Sequence, residues 1–306
     1  MQDFRRFVSF GAVVLVSSAL ALGSVVPANA EAERPSILST LESANTQTVQ
    51  NIAPIEAADR GGAAFAAQLA GVDVLVPSDA EAALSIGEPG SEVLISLPFA
   101  DTASAAEVLA PGVMAYENAN DSTTVPVVKN DGSVQINTVI DSVDAPTRYD
   151  YEIGISDGSS FVSESDGSIT VLDAALEVTA VVAPPWATDA NGQAVATHYE
   201  VIGNTITQIV QHNVAGVAYP VVADPWWIPA LRLVGSWTNH ALQKIAQQNI
   251  AQNLVKIAVQ EGKKTAGNTP GTSVFTANSI RVVVNNKTGA IITVYRAGGG
   301  GGGGGV

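Results

Sequence analysis

One short-range signal recurs between residues 131 and 204, a glycine next to an aspartate or an asparagine. The pairs are Asp131-Gly132, Asp157-Gly158, Asp166-Gly167, Asn191-Gly192 and Gly203-Asn204. Between them lie segments in which apolar and polar residues alternate, such as residues 133–137 and 205–210. Turns that tolerate a positive φ, flanked by strands of period two, are typical of successive hairpins. The pattern predicts an antiparallel β-rich domain, a sandwich or a meander, over residues 71–227.

The residues before this domain have a different composition. Residues 31–70 are rich in Ala, Ser, Thr, Asn and Gln and carry only modest helical periodicity. Such a segment cannot bury much apolar surface. We expect it to be a spacer or a loosely packed helical lead-in.

The N-terminus has the three parts of a secretory signal peptide. Arg5 and Arg6 precede an apolar run over residues 7–26, and the run ends in Ala28-Asn29-Ala30. A basic start, an apolar centre and a small-x-small exit predict export and cleavage, with residues 1–30 removed and no stable membrane span left. The run is also long enough for the alternative, an uncleaved anchor. The predicted location is secreted or cell surface.

Residue counts exclude several kinds of chemistry. The chain has no cysteine, which rules out thiol catalysis, disulfides and thiolate metal sites. Its three histidines are scattered, without a metal-ligand spacing, so no metal or other cofactor is predicted. A hydrolase of wall polymers would need paired carboxylates in a cleft, and the acidic residues are instead spread through turns, where they serve the backbone.

The net charge reverses sign near residue 230. Residues 31–230 contain four cationic and 27 acidic side chains, a net charge of −23, whereas residues 231–306 contain eight cationic side chains and one acidic one, a net charge of +7. Asymmetry of this size indicates two domains with different partners, and the basic one is a candidate phosphate binder. The alternative is a basic tail that docks on its own acidic body.

After Trp237 the apolar period changes from two to about 3.6. Two short helical stripes end at Gly262, with Thr238 as the N-cap of the first. Three strand-like runs follow over residues 273–276, 280–284 and 291–296. The order predicts a small basic α-α-β-β-β domain over residues 231–297, so the whole chain is α+β, and the glycine run over residues 298–306 is predicted to be disordered.

Two resemblances add to this interpretation. The stretches over residues 183–190 and 219–227, with Tyr219-Pro220-Val221-Val222-Ala223-Asp224-Pro225, resemble a β-rich leader domain of exported actinobacterial proteins. That resemblance implies a carrier or surface module of no assigned chemistry.

The C-terminal segment resembles small domains of secreted polymorphic toxins, relatives of the barnase, colicin and RelE group of ribonucleases. The shared marks are Trp237-x-x-His240-Ala241, Ile250, Gly262 and the closing hairpin over residues 281–295. The resemblance implies an RNase-like toxin module that acts on RNA, and a small acidic immunity protein as a partner.

Metal-free RNA cleavage needs a base for the 2′-hydroxyl and cations for the phosphate. His240 can serve as base or acid, and Lys244 lies one helical turn further on the same face. Arg281 or Arg296 supplies the second cation. Thr293 and Tyr295 share a strand face, where they can hydrogen-bond the scissile group or stack on a base. Further cations are predicted to bind substrate: Lys256, Lys287 and Arg296.

A second hypothesis is a non-catalytic interaction protein with a degenerate toxin-like tail. The toxin family commonly has arginines four and eight positions after the histidine, and this chain has Lys244 and Gln248 there. Lysine lacks the planar fork that grips a phosphate with two bonds, and glutamine lacks the charge. His240 would then only cap or pair locally.

Overall fold

Antiparallel sheets dominate the fold, as the turn pattern predicts. The computed structural model describes residues 36–58, 62–88, 92–174, 176, 178–230, 237–250, 252–286 and 289–297. Its helices are α1 (Ile37–Ala44), α2 (Asn239–Gln247) and α3 (Gln252–Glu261). Its strands are β1 (Ala63–Leu69), β2 (Val72–Pro77), β3 (Leu84–Gly87), β4 (Val93–Ile95), β5 (Glu107–Ala110), β6 (Val113–Glu117), β7 (Ser122–Val128), β8 (Val134–Ile140), β9 (Arg148–Gly154), β10 (Ser160–Ser163), β11 (Ile169–Leu172), β12 (Val178–Val182), β13 (Trp186–Thr188), β14 (Thr197–Ile202), β15 (Thr205–Val210), β16 (Val221–Asp224), β17 (Trp226–Pro229), β18 (Lys263–Ala266), β19 (Thr272–Ala277), β20 (Ile280–Asn285) and β21 (Ile291–Arg296).

The strands form three sheets. The first has seven strands in the order β1-β2-β3-β4-β9-β15-β14. The second has ten, eight of them in the order β10-β11-β12-β17-β8-β7-β6-β5, with β16 paired to β8 and to β13. The third has four strands in the order β18-β19-β20-β21. We call the first two sheets with α1 the body, and residues 237–297 the C-terminal segment.

Three of the five glycine turns close hairpins between paired strands. They are the turns at Gly132, Gly167 and Gly203, which join β7 to β8, β10 to β11 and β14 to β15. The turn at Gly192 closes a short antiparallel bridge between Thr188 and Ala194, beyond which β13 and β14 pair with other strands. The prediction of successive hairpins is wrong at Gly158, which connects β9 and β10 of different sheets. A turn fixes a local reversal, whereas burial selects the strand partner.

The body buries apolar side chains on several layers. One apolar cluster contains residues of both the seven-stranded and the ten-stranded sheets, so the two sheets share a core. Strands β7 and β8 are buried along their whole length, because a second cluster covers their other face. Leu41 of α1 belongs to that second cluster and is fully buried. The segment predicted as a spacer or helical lead-in therefore contains α1, which packs on the two sheets, and β1, which pairs with β2.

The C-terminal segment is a four-stranded sheet covered by helices on one face. Side chains of α2 and α3 pack with alternate residues of β20 and with Ile291 and Val294 of β21 in one apolar cluster. Val181, Ile228 and Ala230 of the body belong to the same cluster. The segment has one strand more than predicted, because Lys-Lys-Thr-Ala in β18 is exposed at every position and shows no apolar alternation.

Local signals place the two helices of this segment. The Thr238 Oγ1 accepts a hydrogen bond from the Ala241 backbone N–H at 3.1 Å, as an N-cap does. The helix α3 ends at Gly262, where a Cβ atom would lie 2.1 Å from the Ala258 carbonyl oxygen. Only a residue without a side chain fits there. The N-cap Thr238 and the helix-ending Gly262 can therefore both be recognised in the sequence.

Several predicted parts lie outside the described residues: the signal peptide over residues 1–30, residues 231–236, Lys287 and the glycine run over residues 298–306. The described residues between 36 and 297 belong to one compact unit. Within the residues described, no helix is long and apolar enough to cross a membrane.

Candidate functional site

The face of the four-stranded sheet that the helices leave open carries two rows of side chains. Antiparallel register places four residues side by side in the first row, one from each strand: Lys263, Thr276, Arg281 and Tyr295. The second row is Thr265, Val274, Val283 and Thr293. All eight line one groove of ≈ 990 Å³, with Thr272 and the loop residues Asn268 and Thr269 at its margin. We call this surface the open sheet face.

The cations of the open sheet face are available to a ligand. Arg281 and Lys263 are both exposed, and within the described part of the chain neither takes part in an ion pair or a side-chain hydrogen bond. The described residues that line the groove include no aspartate or glutamate. Tyr295 is half-buried and lies next to Arg281 in register. A guanidinium, an ammonium, a phenol ring and several hydroxyls therefore face one groove whose described lining contains no acidic side chain.

The predicted base lies elsewhere. His240 and Lys244 are on α2, which packs against the opposite face of the sheet. His240 is exposed, and its pKa is lowered by partial burial and then by the positive charge of Lys244. The Lys244 Nζ donates to the Gln247 Oε1 at 3.3 Å. The imidazole and this ammonium are thus neighbours, as the helical spacing predicts.

The sheet separates the five predicted catalytic residues into two groups. Arg281, Thr293 and Tyr295 share the open sheet face. His240 instead borders a hollow against the body, lined among others by Glu164 and Thr170. Since a sheet lies between the two groups, the structure brings the three strand residues together and does not bring His240 or Lys244 to them.

Two of the predicted substrate-binding cations, Arg296 and Lys256, do not line the groove of the open sheet face. Arg296 donates to two backbone oxygens at the end of α2, from Nε to Gln248 at 3.2 Å and from Nη2 to Asn249 at 2.7 Å. It therefore caps a helix C-terminus, where a cation is stabilising. Lys256 is half-buried on α3, which packs on the covered face of the sheet.

Gln248, which stands where the toxin family has arginine, has a structural partner here. Its Nε2 donates to the Val294 carbonyl oxygen at 3.4 Å, and its Oε1 accepts from the Arg296 backbone N–H at 3.0 Å. The Thr238 Oγ1 donates to the Ile292 carbonyl oxygen at 2.9 Å further along the same edge. These contacts cover the outer edge of β21, which would otherwise expose unpaired backbone groups.

Sequence reasoning missed Lys263, Thr265 and Thr276 as members of the open sheet face. They come into line only through pairing of β18 and β19, and β18 has no apolar period to reveal it. One signal was present: two lysines directly after the helix-ending Gly262 are typical of a protected edge strand.

Two buried polar side chains of the body, Lys129 and His212, are bound by groups of the body itself. The Lys129 Nζ donates to the carbonyl oxygens of Gln47 at 3.0 Å, Gln50 at 3.1 Å and Thr48. His212 is fully buried, with its ring nitrogens 3.0 Å from the Tyr219 hydroxyl and from the Pro146 carbonyl oxygen. No group of three histidines or carboxylates in the described part of the chain is placed to hold a metal ion.

Comparison with known proteins gives no relative: no protein-family model, no curated protein and no solved structure matches this chain. Function is therefore inferred from the geometry and charge of the site.

Proposed function

We propose that this chain is an exported β-rich carrier whose C-terminal segment binds RNA on the open sheet face. The observation that carries the proposal is the row of Lys263, Thr276, Arg281 and Tyr295 across all four strands. Cations, hydroxyls and an aromatic ring on one solvent-facing sheet are the groups that bind a single-stranded backbone and its unstacked bases.

Each part of the row has a role in this proposal. Arg281 and Lys263 bind phosphates, because cationic side chains supply the sequence-independent part of nucleic-acid affinity. Tyr295 stacks on a base, since every base has a π-face. Thr265, Thr276 and Thr293 offer hydroxyls to phosphate or 2′-hydroxyl oxygens.

The charge distribution supports the same site. Residues 31–230 carry a net charge of −23, which repels a polyanion, whereas residues 231–306 carry +7. RNA is therefore attracted to the C-terminal segment alone. A small acidic immunity protein, the partner that the toxin resemblance implies, would compete for the open sheet face.

RNA cleavage is the second candidate function. The neutral imidazole is the form that accepts a proton, and the lowered pKa of His240 favours that form near pH 7. Lys244 beside it supplies a cation. Against cleavage on the open sheet face stands the position of His240 behind the sheet, and no imidazole or carboxylate occurs among the described residues that line the groove. Binding without cleavage is therefore the function that the geometry favours.

The test measures the affinity of the full chain for a labelled single-stranded RNA over a series of salt concentrations. We expect Arg281→Ala to weaken binding about tenfold and to reduce the salt slope by about one. Lys256→Ala, a cation removed from the covered side, is the matched control and is expected to bind as the wild type does. Equal affinity of the two variants would overturn the proposed face.

The cleavage candidate is tested in the same samples by gel analysis of the RNA. Loss of product in His240→Ala, with the affinity unchanged, supports catalysis by His240, since removing a general base costs about 10² to 10⁴ in rate. Intact RNA with the wild-type chain rejects cleavage and leaves the binding proposal standing.

Export is a separate part of the proposal and rests on the pattern over residues 1–30. Fusing those residues to a reporter that is active only outside the cytoplasm tests it. We expect reporter activity, and we expect it to disappear when charged residues interrupt the apolar run.

A further inference from the structure

A polar cleft lies where the body meets α2, away from the open sheet face. Its volume is ≈ 150 Å³, and its lining includes Gln135, Trp186, Asp224, Trp226, Gln243 and Gln247. These residues come from β8, β13, β16, β17 and α2. Nothing in the proposed RNA site uses any of them.

The floor of the cleft holds a carboxylate with an unused oxygen. Asp224 is 1% exposed, and its Oδ2 accepts from the Gln135 Nε2 at 2.8 Å. Its Oδ1 is buried; the Trp186 side chain and backbone N–H lie close enough to offset part of the rise that burial causes in the Asp224 pKa, but no donor within the described residues meets hydrogen-bond geometry at this oxygen. A buried acceptor left unpaired costs free energy, so a partner from outside the chain would be stabilised there.

The wall formed by α2 holds the complementary group. The Gln243 Nε2 is also buried and has no acceptor among the residues described. One cleft therefore presents an unused acceptor and an unused donor. A ligand that satisfies both must donate one hydrogen bond and accept another.

The remaining surface of the cleft is aromatic or amide. Trp186 and Trp226 both line it, and the Trp226 Nε1 donates to the Ser133 Oγ at 3.0 Å, which fixes that indole. The rim residues Gln47 and Gln247 are exposed, so the cleft opens to solvent. Indole faces with amides around them bind molecules that have both apolar C–H faces and hydroxyl groups.

We propose that this cleft is a binding site for a small polyhydroxylated molecule of monosaccharide size. A hydroxyl both donates and accepts, so two hydroxyls of one ring can pair with the Asp224 Oδ1 and the Gln243 Nε2. A volume of ≈ 150 Å³ is about ten times what a single enclosed water requires, which suits a ligand of about ten non-hydrogen atoms.

A small organic cation fits less well. An ammonium group has donors and no acceptor, so it would leave the Gln243 Nε2 unpaired. Burial raises the pKa of Asp224 to about 7, so near neutral pH its carboxyl group is partly protonated and suits a neutral hydroxyl partner.

The probes are D-glucose, D-galactose, D-mannose and L-arabinose, each titrated into the full chain with tryptophan fluorescence as the signal. We expect a saturable change with at least one of them. Gln243→Leu is expected to weaken that binding about tenfold, whereas Gln211→Leu, the same change at an exposed position of the body, leaves it unchanged.

Asp224→Asn is the second variant and is expected to weaken the same sugar, with its fold checked by circular dichroism. Gln243 lies on a partly exposed helix position, so Gln243→Leu decides the question even if Asp224→Asn unfolds. No saturable response to any of the four sugars overturns the proposal, as does unchanged binding in Gln243→Leu or a saturable response to methylammonium alone.

This inference does not depend on the RNA site. Arg281→Ala is expected to bind the sugar as the wild type does, and Gln243→Leu is expected to bind RNA as the wild type does. Failure of one proposal therefore leaves the other in place.

Discussion

The body and the C-terminal segment are both antiparallel β-structures, and they use their charged side chains in opposite ways. The body has few cations, and Lys129 is 4% exposed and bound to three backbone carbonyl oxygens. The segment is rich in cations, and Arg281 and Lys263 stand on an open face. A charge buried inside a fold must be bound by the fold's own acceptors, whereas a charge presented to solvent can select a partner.

The layers of the two regions explain this difference. Strands β7 and β8 of the body are covered on both faces, so every side chain on them serves packing. The four-stranded sheet of the segment is covered by α2 and α3 on one face only. Side chains on its other face do not pack in the apolar core, and the candidate RNA-binding groups are among them.

The largest expected effect compares one substitution at two lysines. Lys129→Met removes the donor of three backbone carbonyl oxygens and should lower the free energy of unfolding by about 3–5 kcal/mol. Lys263→Met changes an exposed strand position and should shift it by less than about 0.5 kcal/mol. Urea unfolding of both variants gives the comparison, and similar losses at the two sites would contradict the division of roles.

A smaller effect concerns pH and Asp224. Burial raises the pKa of this carboxyl group from 3.8 to about 7, so the folded chain holds a proton that the unfolded chain has already lost. The resulting stability is present below pH 3.8 and is lost as the pH rises through about 7.

Asp224→Asn has no titratable group at this position, so its stability does not depend on this proton. Between pH 4 and pH 7 the wild type should therefore lose about 1 kcal/mol of unfolding free energy per pH unit relative to Asp224→Asn. Chemical unfolding of both proteins at several pH values measures it. Parallel curves would mean that burial does not raise the pKa of Asp224.

The smallest expected effect separates two arginines of neighbouring strands. Arg296→Ala removes the guanidinium that binds the last carbonyl oxygens of α2 and should cost about 1 kcal/mol of stability. Arg281→Ala should cost nothing measurable, because no partner holds that side chain within the described residues. A larger stability loss in Arg281→Ala would show that the open sheet face is structural.

The local elements of this fold, its helix ends and turns, can be predicted from the sequence. Thr238, Gly262 and the turns at Gly132, Gly167 and Gly203 act as predicted. The pairing of strands cannot be predicted in this way, because a turn such as that at Gly158 does not specify which sheet contains the next strand. An edge strand such as β18, exposed at every position, has no period to detect.

The candidate site was only half predictable for the same reason. The spacing of Thr293 and Tyr295 fixes their common face, and the structure adds Arg281 from the neighbouring strand. Helical spacing likewise makes His240 and Lys244 neighbours. Which face of the sheet the helix covers depends on packing over the whole segment, and no local pattern encodes it.

The most direct test of the central claim is ultraviolet cross-linking of single-stranded RNA to the full chain, with the linked residues identified by mass spectrometry. We expect cross-links at Tyr295 and in the peptides of β18 and β20, and we expect them to disappear with Arg281→Ala. Cross-links confined to α2 near Trp237 and His240, unchanged by Arg281→Ala, would contradict RNA binding on the open sheet face.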